Sequence, residues 1–186
     1  MVYGVVLSGG YSSRMKKNKM LLKWQGEYLI NHTIKQLLLH VDQVIVVTGY
    51  YHDDIINVVS KFDSVTVVRN HTYDLGMFNS VKKGVEFVKG DFFIVPGDYP
   101  MITADVYQML LENTGEIRVP TYHGYKGHPI FLEKHLKEKL LLFDENSNLK
   151  VFRDSNEVLY YETKCSGIIK DIDTIDDYKM MIERND

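Results

Sequence analysis

A single cysteine, Cys165, leaves the chain no internal disulfide to form and no cysteine pair for a zinc site. A lone cysteine fits a reducing compartment, where its ordinary role is that of a small buried apolar side chain. No run approaches the ~18 apolar residues of a membrane span. No basic leader followed by a small-residue cleavage site opens the sequence. The expected location is therefore the cytoplasm, with no membrane partner. Charge of one sign is also scarce: 22 Lys and Arg against 25 Asp and Glu give a formal net charge of −3. That balance excludes the electrostatic footprint of general nucleic-acid binding. No repeat, low-complexity tract or linker interrupts the chain, and residues 1–186 read as one domain.

What is present is alternation. "VYGVVLS" (2–8), "QVIVVTG" (43–49), "VTVVRN" (65–70) and "DFFIVPGD" (91–98) are β-branched apolar runs of the kind that forms strands covered on both faces. Between them, segments 27–40, 53–62 and 76–88 space apolar residues three and four apart, as amphipathic helices do. Strand–helix alternation predicts right-handed crossovers and a mostly parallel sheet in a three-layer α/β domain. Further on, 116–122, 127–132, 158–163 and 167–172 read as strands, and 133–143 and 174–184 as helices, the last with Thr174 as N-cap. The polar, aperiodic stretch 143–157 reads as a loop or a short exposed helix.

Chemistry concentrates where the first strand ends, in "VVLSGGYSSRMKKNK" (5–19). Gly9 and Gly10 let bare backbone N–H groups approach an anion; Ser12 and Ser13 add hydroxyl donors, and Arg14 and Lys19 add cations. The stretch contains neither G-x-x-x-x-G-K-[ST] nor G-x-G-x-x-G, so it is neither a P-loop nor a dinucleotide fingerprint. A plain strand-to-loop turn with solvated lysines has the same composition.

Three other stretches bear on that choice. In "VPGDYPMIT" (95–103) a buried strand delivers Asp98 to the same sheet edge, where a carboxylate suits Mg²⁺ with phosphate oxygens and suits a turn equally. In "LGMFNSVKKGVEF" (75–87), Gly76, Asn79 and Ser80 make a polar helix start, which serves anion or base binding or ordinary capping. In "GHP", His128 opens a strand and is either an acceptor contact or a hydrogen-bonded structural histidine. Asp171 and Asp173 alternate along an expected strand end, so one is a candidate second metal carboxylate and the other caps or salt-links.

Taken in order, these stretches resemble the MobA-like nucleotidyltransferases, most closely their molybdenum cofactor cytidylyltransferase branch. The family opens with L-A-[AG]-G-x-S-x-R-[MF]-G-x-x-K; residues 7–19 here read LSGGYSSRMKKNK, followed by "GMFNSV", "GDYPMIT", "GHPIF" and "DIDTIDDY". The resemblance implies a Rossmann-like sheet and Mg²⁺-dependent transfer of a nucleoside monophosphate from an NTP, CTP by the closest branch, to a phosphorylated acceptor of the molybdopterin type, with release of pyrophosphate. It implies a nucleotide-binding set of Leu7, Ser8, Gly9, Gly10, Ser12, Arg14, Lys19, Gly76, Ser80 and Asp98. Among these, Arg14, Lys19 and Asp98 are catalytic, with Asp98 and Asp171 on the metal. A molybdoenzyme is the implied client.

Two positions depart from the pattern. Lys16 replaces the glycine after Arg-Met, and Gly9 stands where guanylyltransferases tend to have glycine and cytidylyltransferases alanine. "FDENSNLKVF" replaces the family's acidic Gly-Ala loop after the GHP strand. Alternative expectations are a guanylyl- or cytidylyltransferase acting on a sugar or alditol phosphate, and a cofactor-carrying chaperone that binds without turnover.

Overall fold

The structure, a computed structural model, describes residues 1–10 and 18–183. In its first half, β1 (Val2–Ser8) is followed by a small hairpin of β2 (Lys23–Trp24) and β3 (Glu27–Tyr28), then α1 (Leu29–Leu38), β4 (Gln43–Thr48), α2 (His52–Val59) and β5 (Val65–Arg69). Next come α3 (Met77–Val85), β6 (Asp91–Pro96), α4 (Ala104–Glu112), β7 (Ile117–Tyr122), β8 (Tyr125–Lys126) and β9 (Ile130–Leu132). The chain closes with α5 (Leu136–Leu141), α6 (Leu149–Asp154), β10 (Val158–Glu162) and α7 (Ile175–Glu183).

One sheet runs in the order β10-β7-β9-β6-β1-β4-β5, with β8 paired to β7. β5, β4, β1 and β6 are mutually parallel, β9 is antiparallel to β6 and β7, and β10 is parallel to β7. The near-continuous apolar runs follow from burial on both faces. Along β1, Val5 and Leu7 join a core with Val81 and Val85 of α3, while Val6 joins one with Ile30 and Ile34 of α1. α3, α5 and α6 cover the first face; α1, α2 and α4 cover the second. α3 lies so close that a β-carbon on Gly84 would sit 2.5 Å from Val5 Cγ1. Among the described residues, no helix is long and apolar enough to cross a membrane.

Three local expectations need correction. The helix expected from residue 27 begins at Leu29, because Glu27 and Tyr28 pair with β2. Residues 167–172 form no strand: Ser166–Ile169 is a 3₁₀ turn. Its Ile168 and Ile172 are buried in two different clusters, so the backbone bonds loops singly instead of joining a ladder. Stretch 143–157 does hold a short helix, but α6 buries Phe152 and Arg153 and is no exposed decoration.

Parallel register sets the site. Leu7 faces Pro96 and Ser8 faces Thr48 across their ladders, so residues 9–10, 49–50 and 97–98 leave the sheet at one edge.

Candidate active site

Asp98 is held at that edge from two sides. Gly97 N–H donates to the Leu7 carbonyl at 2.9 Å, and its carbonyl accepts from Thr33 Oγ1 at 3.1 Å. The Asp98 carbonyl accepts from Ile172 N–H at 3.1 Å, which draws the segment before α7 over the sheet edge. Carboxylate oxygens of Asp98, Asp171 and Asp173 thereby gather within 4.8 Å of one another. Lys19 reaches them from a 3₁₀ turn at Lys19–Leu21 whose cap is Asn18, with Met20 N–H donating to Asn18 Oδ1 at 3.1 Å. Its Nζ donates to Asp98 Oδ2 and, at 2.5 Å, to Asp173 Oδ1.

The electrostatics follow from crowding. Burial weakens the Lys19 ammonium, but the charges and hydrogen bonds of Asp98 and Asp173 outweigh it and hold its pKa above the ordinary value. Burial and the charges of Asp173 and Asp98 push the Asp171 carboxyl up. Burial, then Asp171, Asp98 and Asp173, push the Tyr99 phenol up as well. Three carboxylates face one ammonium among the described residues, so the cluster suits further positive charge. An all-oxygen donor set of this kind fits a hard divalent cation such as Mg²⁺.

Beside the cluster lies a cavity of about 310 Å³. Its floor is Leu7, Gly9 and Gly10 leaving β1, with Lys19, Met20, Pro96 and Asp98 on one wall and Tyr73, Gly76, Met77 and Ser80 on the other. Gly76 has φ of 104°, a left-handed geometry that favours glycine and turns the chain into α3. Ser80 is fixed from behind, its Oγ accepting from the buried Asn70 Nδ2 at 3.0 Å; the same amide group donates to Asn79 Oδ1 at 2.9 Å. Glycine backbone, an ammonium and a carboxylate cluster at one end are the chemical groups that suit a polyphosphate together with a cation.

Residues 4–158 match the MobA-like NTP transferase domain. The chain belongs to that family. It is 30% identical over 183 residues to a molybdenum cofactor cytidylyltransferase of Escherichia coli, which spans 97% of this chain and 95% of the relative. It is 33% identical to a probable molybdenum cofactor guanylyltransferase of Bacillus cereus over 78% of this chain and 76% of that one. A nucleotidyl transferase structure from Methanothermobacter superposes with a TM-score of 0.85 at 24% identity, covering 99% of this chain and 97% of that one. The protein is a nucleotidyltransferase of the MobA-like family, and its fold is the mostly parallel α/β architecture expected from the sequence.

In this MobA-like domain the sequence-named residues fall into five groups. Leu7, Gly9, Gly10, Lys19, Gly76, Ser80 and Asp98 line the one cavity. Ser8 does not: it is buried at the end of β1, and its Oγ has no hydrogen-bond partner among the described residues. Ser12 and Arg14, with Lys16, lie outside the described residues. His128 lies apart from the cavity, its ring centroid 4.9 Å from that of Tyr99.

Asp171 and Asp173 both enter the carboxylate cluster, because the segment is irregular and strand alternation does not apply; Asp173 also forms the expected salt link, to Lys19. Thr174 caps α7, its Oγ1 accepting from Asp177 N–H at 3.1 Å while Asp177 Oδ2 accepts from Thr174 N–H at 2.8 Å. Sequence reasoning missed the walls Met20 and Tyr73, which stand in no motif, while Met77 and Pro96 fall inside the quoted stretches GMFNSV and VPGDYPMIT.

Proposed function

We propose that this enzyme transfers a nucleoside monophosphate from CTP to the phosphate of a molybdopterin-type acceptor and releases pyrophosphate. The observation that carries the reading is Lys19 bonded to Asp98 and Asp173 at the end of a glycine-floored cavity. An acceptor phosphate is anionic at neutral pH, so its oxygen attacks the α-phosphorus with no protein base. The bond from that phosphorus to the bridging oxygen breaks, and its electron pair leaves with pyrophosphate. Positioning and charge neutralisation are the protein's contributions. Gly9 and Gly10 seat the phosphates, Lys19 turns its ammonium to the leaving oxygens, and Arg14 adds a second cation. Asp98 and Asp171, joined by Asp173, hold Mg²⁺, which when bound supplies charge stabilisation to the phosphate oxygens.

The acceptor class is suggested by the two curated relatives, both named for the molybdenum cofactor. CTP is favoured because the cytidylyltransferase relative spans nearly the whole of both chains. GTP is the second reading: a β-carbon at Gly9 would lie 3.1 Å from Ser80 Oγ, so glycine leaves the wall open at that point, and the guanylyltransferase relative is as similar over its shorter span.

The test measures pyrophosphate release with each of the four NTPs, Mg²⁺, and either molybdopterin or sugar phosphates as acceptor. The expected result is release with CTP and molybdopterin, reduced about a hundredfold in Asp98→Asn. Nucleotide binding without release from any pair refutes the enzyme reading in favour of a carrier.

A further inference from the structure

A cleft of about 460 Å³ opens beside α3 and shares no lining residue with the cavity at the carboxylate cluster. The end of β5 and the turn after it, Arg69 to Thr72, form one wall. Asn79, Lys82, Lys83 and Glu86 of α3 form the other. Their spacing of three and four residues puts them on one face of the helix, over a rise of about 10 Å.

The charge of this cleft runs against that of the chain. Arg69, Lys82 and Lys83 bring three permanent cations against Glu86 and Glu145, in a chain of net charge −3. Glu86 is already engaged, its Oε2 accepting from Lys83 Nζ at 2.7 Å. Lys82 gives one of its three ammonium hydrogens to the Phe143 carbonyl. The Arg69 guanidinium and the His71 ring make no hydrogen bond or ion pair among the described residues. Asn79 Oδ1 accepts from Thr72 Oγ1 at 2.8 Å and from Asn70 Nδ2 at 2.9 Å, which leaves its own amide hydrogens as spare donors.

The partition between cleft and cavity is fixed by one buried side chain. Asn70, 2% exposed, gives one amide hydrogen to Asn79 on the cleft wall and the other to Ser80 Oγ, at 3.0 Å, on the cavity wall. Its Oδ1 accepts from Thr72 N–H at 3.1 Å, so every polar atom of the amide is engaged. The two concavities are therefore neighbours with a rigid polar wall between them.

We propose that this cleft is a second anion site, which takes a small molecule bearing a diphosphate, either free pyrophosphate or a nucleoside diphosphate, between Arg69 and the Asn79–Lys83 face of α3. A guanidinium forks pairs of phosphate oxygens, and ammonium groups add point charge. Cations on two walls, spread over a helix turn, suit an extended anion better than a single phosphate. The site gives such an anion a seat outside the catalytic cavity, and it does not depend on the transfer reading above.

The test titrates sodium pyrophosphate, ADP and inorganic phosphate by calorimetry, in cation-free buffer, into wild type, Lys19→Met, Arg69→Glu and Lys83→Glu. Lys19→Met, altered only at the first cavity, should still bind pyrophosphate or ADP. Arg69→Glu should weaken that binding about ten- to a hundredfold and Lys83→Glu severalfold, with added salt weakening it further in every case. Thermal stabilisation by CTP or GTP should be the same in Arg69→Glu, Lys83→Glu and wild type. The tighter of pyrophosphate and ADP identifies the source of the diphosphate.

Binding that Lys19→Met abolishes and Arg69→Glu leaves intact belongs wholly to the first cavity and overturns the site, as does no binding to wild type. Inorganic phosphate bound as tightly as pyrophosphate and ADP overturns the diphosphate class. If Lys19→Met fails to fold, the count decides: Arg69→Glu should bind one anion fewer per chain than wild type, and an equal count at equal affinity overturns the site. Transfer activity enters none of these measurements, so failure of the site and failure of the transfer reading are separate results.

Discussion

Replacing Lys19 with methionine keeps most of the side chain's length and removes the ammonium from a cluster of three carboxylates. Those oxygens lie within 4.8 Å of one another, and two unit charges at that separation repel by about 3.5 kcal/mol at an effective dielectric of 20. Breaking a buried pair by removing one partner costs about 3–5 kcal/mol. The loss here is smaller, because the Asp173 side chain is 33% exposed and the Asp171 carboxyl, already pushed up, can take a proton. The expected destabilisation is about 2–3 kcal/mol at pH 7.

A divalent cation should recover much of that loss, since the variant lacks the Lys19 ammonium that competes for the same oxygens. Urea denaturation at pH 7, with and without millimolar Mg²⁺, reads both effects. The midpoint should fall in Lys19→Met and rise with Mg²⁺ by more than in wild type, while turnover falls about a hundredfold. A variant as stable as wild type, with no larger response to Mg²⁺, refutes the account of Lys19 as the cluster's counter-charge.

Three further outcomes are expected. Gly9→Ala puts a methyl group 3.1 Å from Ser80 Oγ, so the KM for nucleotide should change severalfold, differently for CTP and GTP, with little change in melting temperature. Gly84→Ala forces a β-carbon to 2.5 Å from Val5 Cγ1 and 2.7 Å from Val47 Cγ2, and this overpacking between α3 and the sheet should cost about 1–3 kcal/mol in urea denaturation. His128 titrates near 6.5 in the unfolded chain and at about 4 when folded, so the unfolded state takes the proton first and stability falls as pH drops from 6.5 to 4. The loss is at most about 3 kcal/mol, and His128→Gln should flatten that part of the stability–pH curve relative to wild type.

The central strands were legible because burial on both faces writes itself as an unbroken apolar run, as in β1, β4 and β6. The position of Asp98 was legible for a related reason: Pro-Gly-Asp after such a run marks the strand's exit at the sheet edge, whereas its role was left open between a metal carboxylate and a turn former. The expectation that only one of Asp171 and Asp173 faces the cluster failed because a period of two was applied to a segment that is not a strand; its backbone bonds go singly to neighbouring loops at Asp98 and His128. The burial of α6 was hidden in the most polar stretch of the chain, read as a loop or a short exposed helix, because one buried phenylalanine and one buried arginine leave no periodic trace in six residues. The cavity wall Met20 was invisible for the opposite reason, since a lone methionine in an apolar stretch reads as core.

The distribution of the site along the chain bears on how the enzyme holds it. Lys19 and Asp98 are 79 residues apart, and Lys19 and Asp173 are 154 apart, so no local element can preassemble the cluster. Only the assembled sheet, with the segment before α7 pinned to Asp98 by the Ile172 N–H bond, brings the three carboxylates together. Gathering like charges opposes folding, and the hydrophobic burial of β1, β6 and Ile172 offsets that repulsion. Under the proposed function, arriving cationic charge would relieve that repulsion, so part of the affinity for a cation would be set by the folding of the sheet and not by new contacts made on binding. Lys19 then does two jobs with one ammonium. Under the proposed function it would neutralise the carboxylates in the free enzyme and, once a cation took that place, turn to the phosphates, linking nucleotide capture to occupancy of the carboxylate cluster.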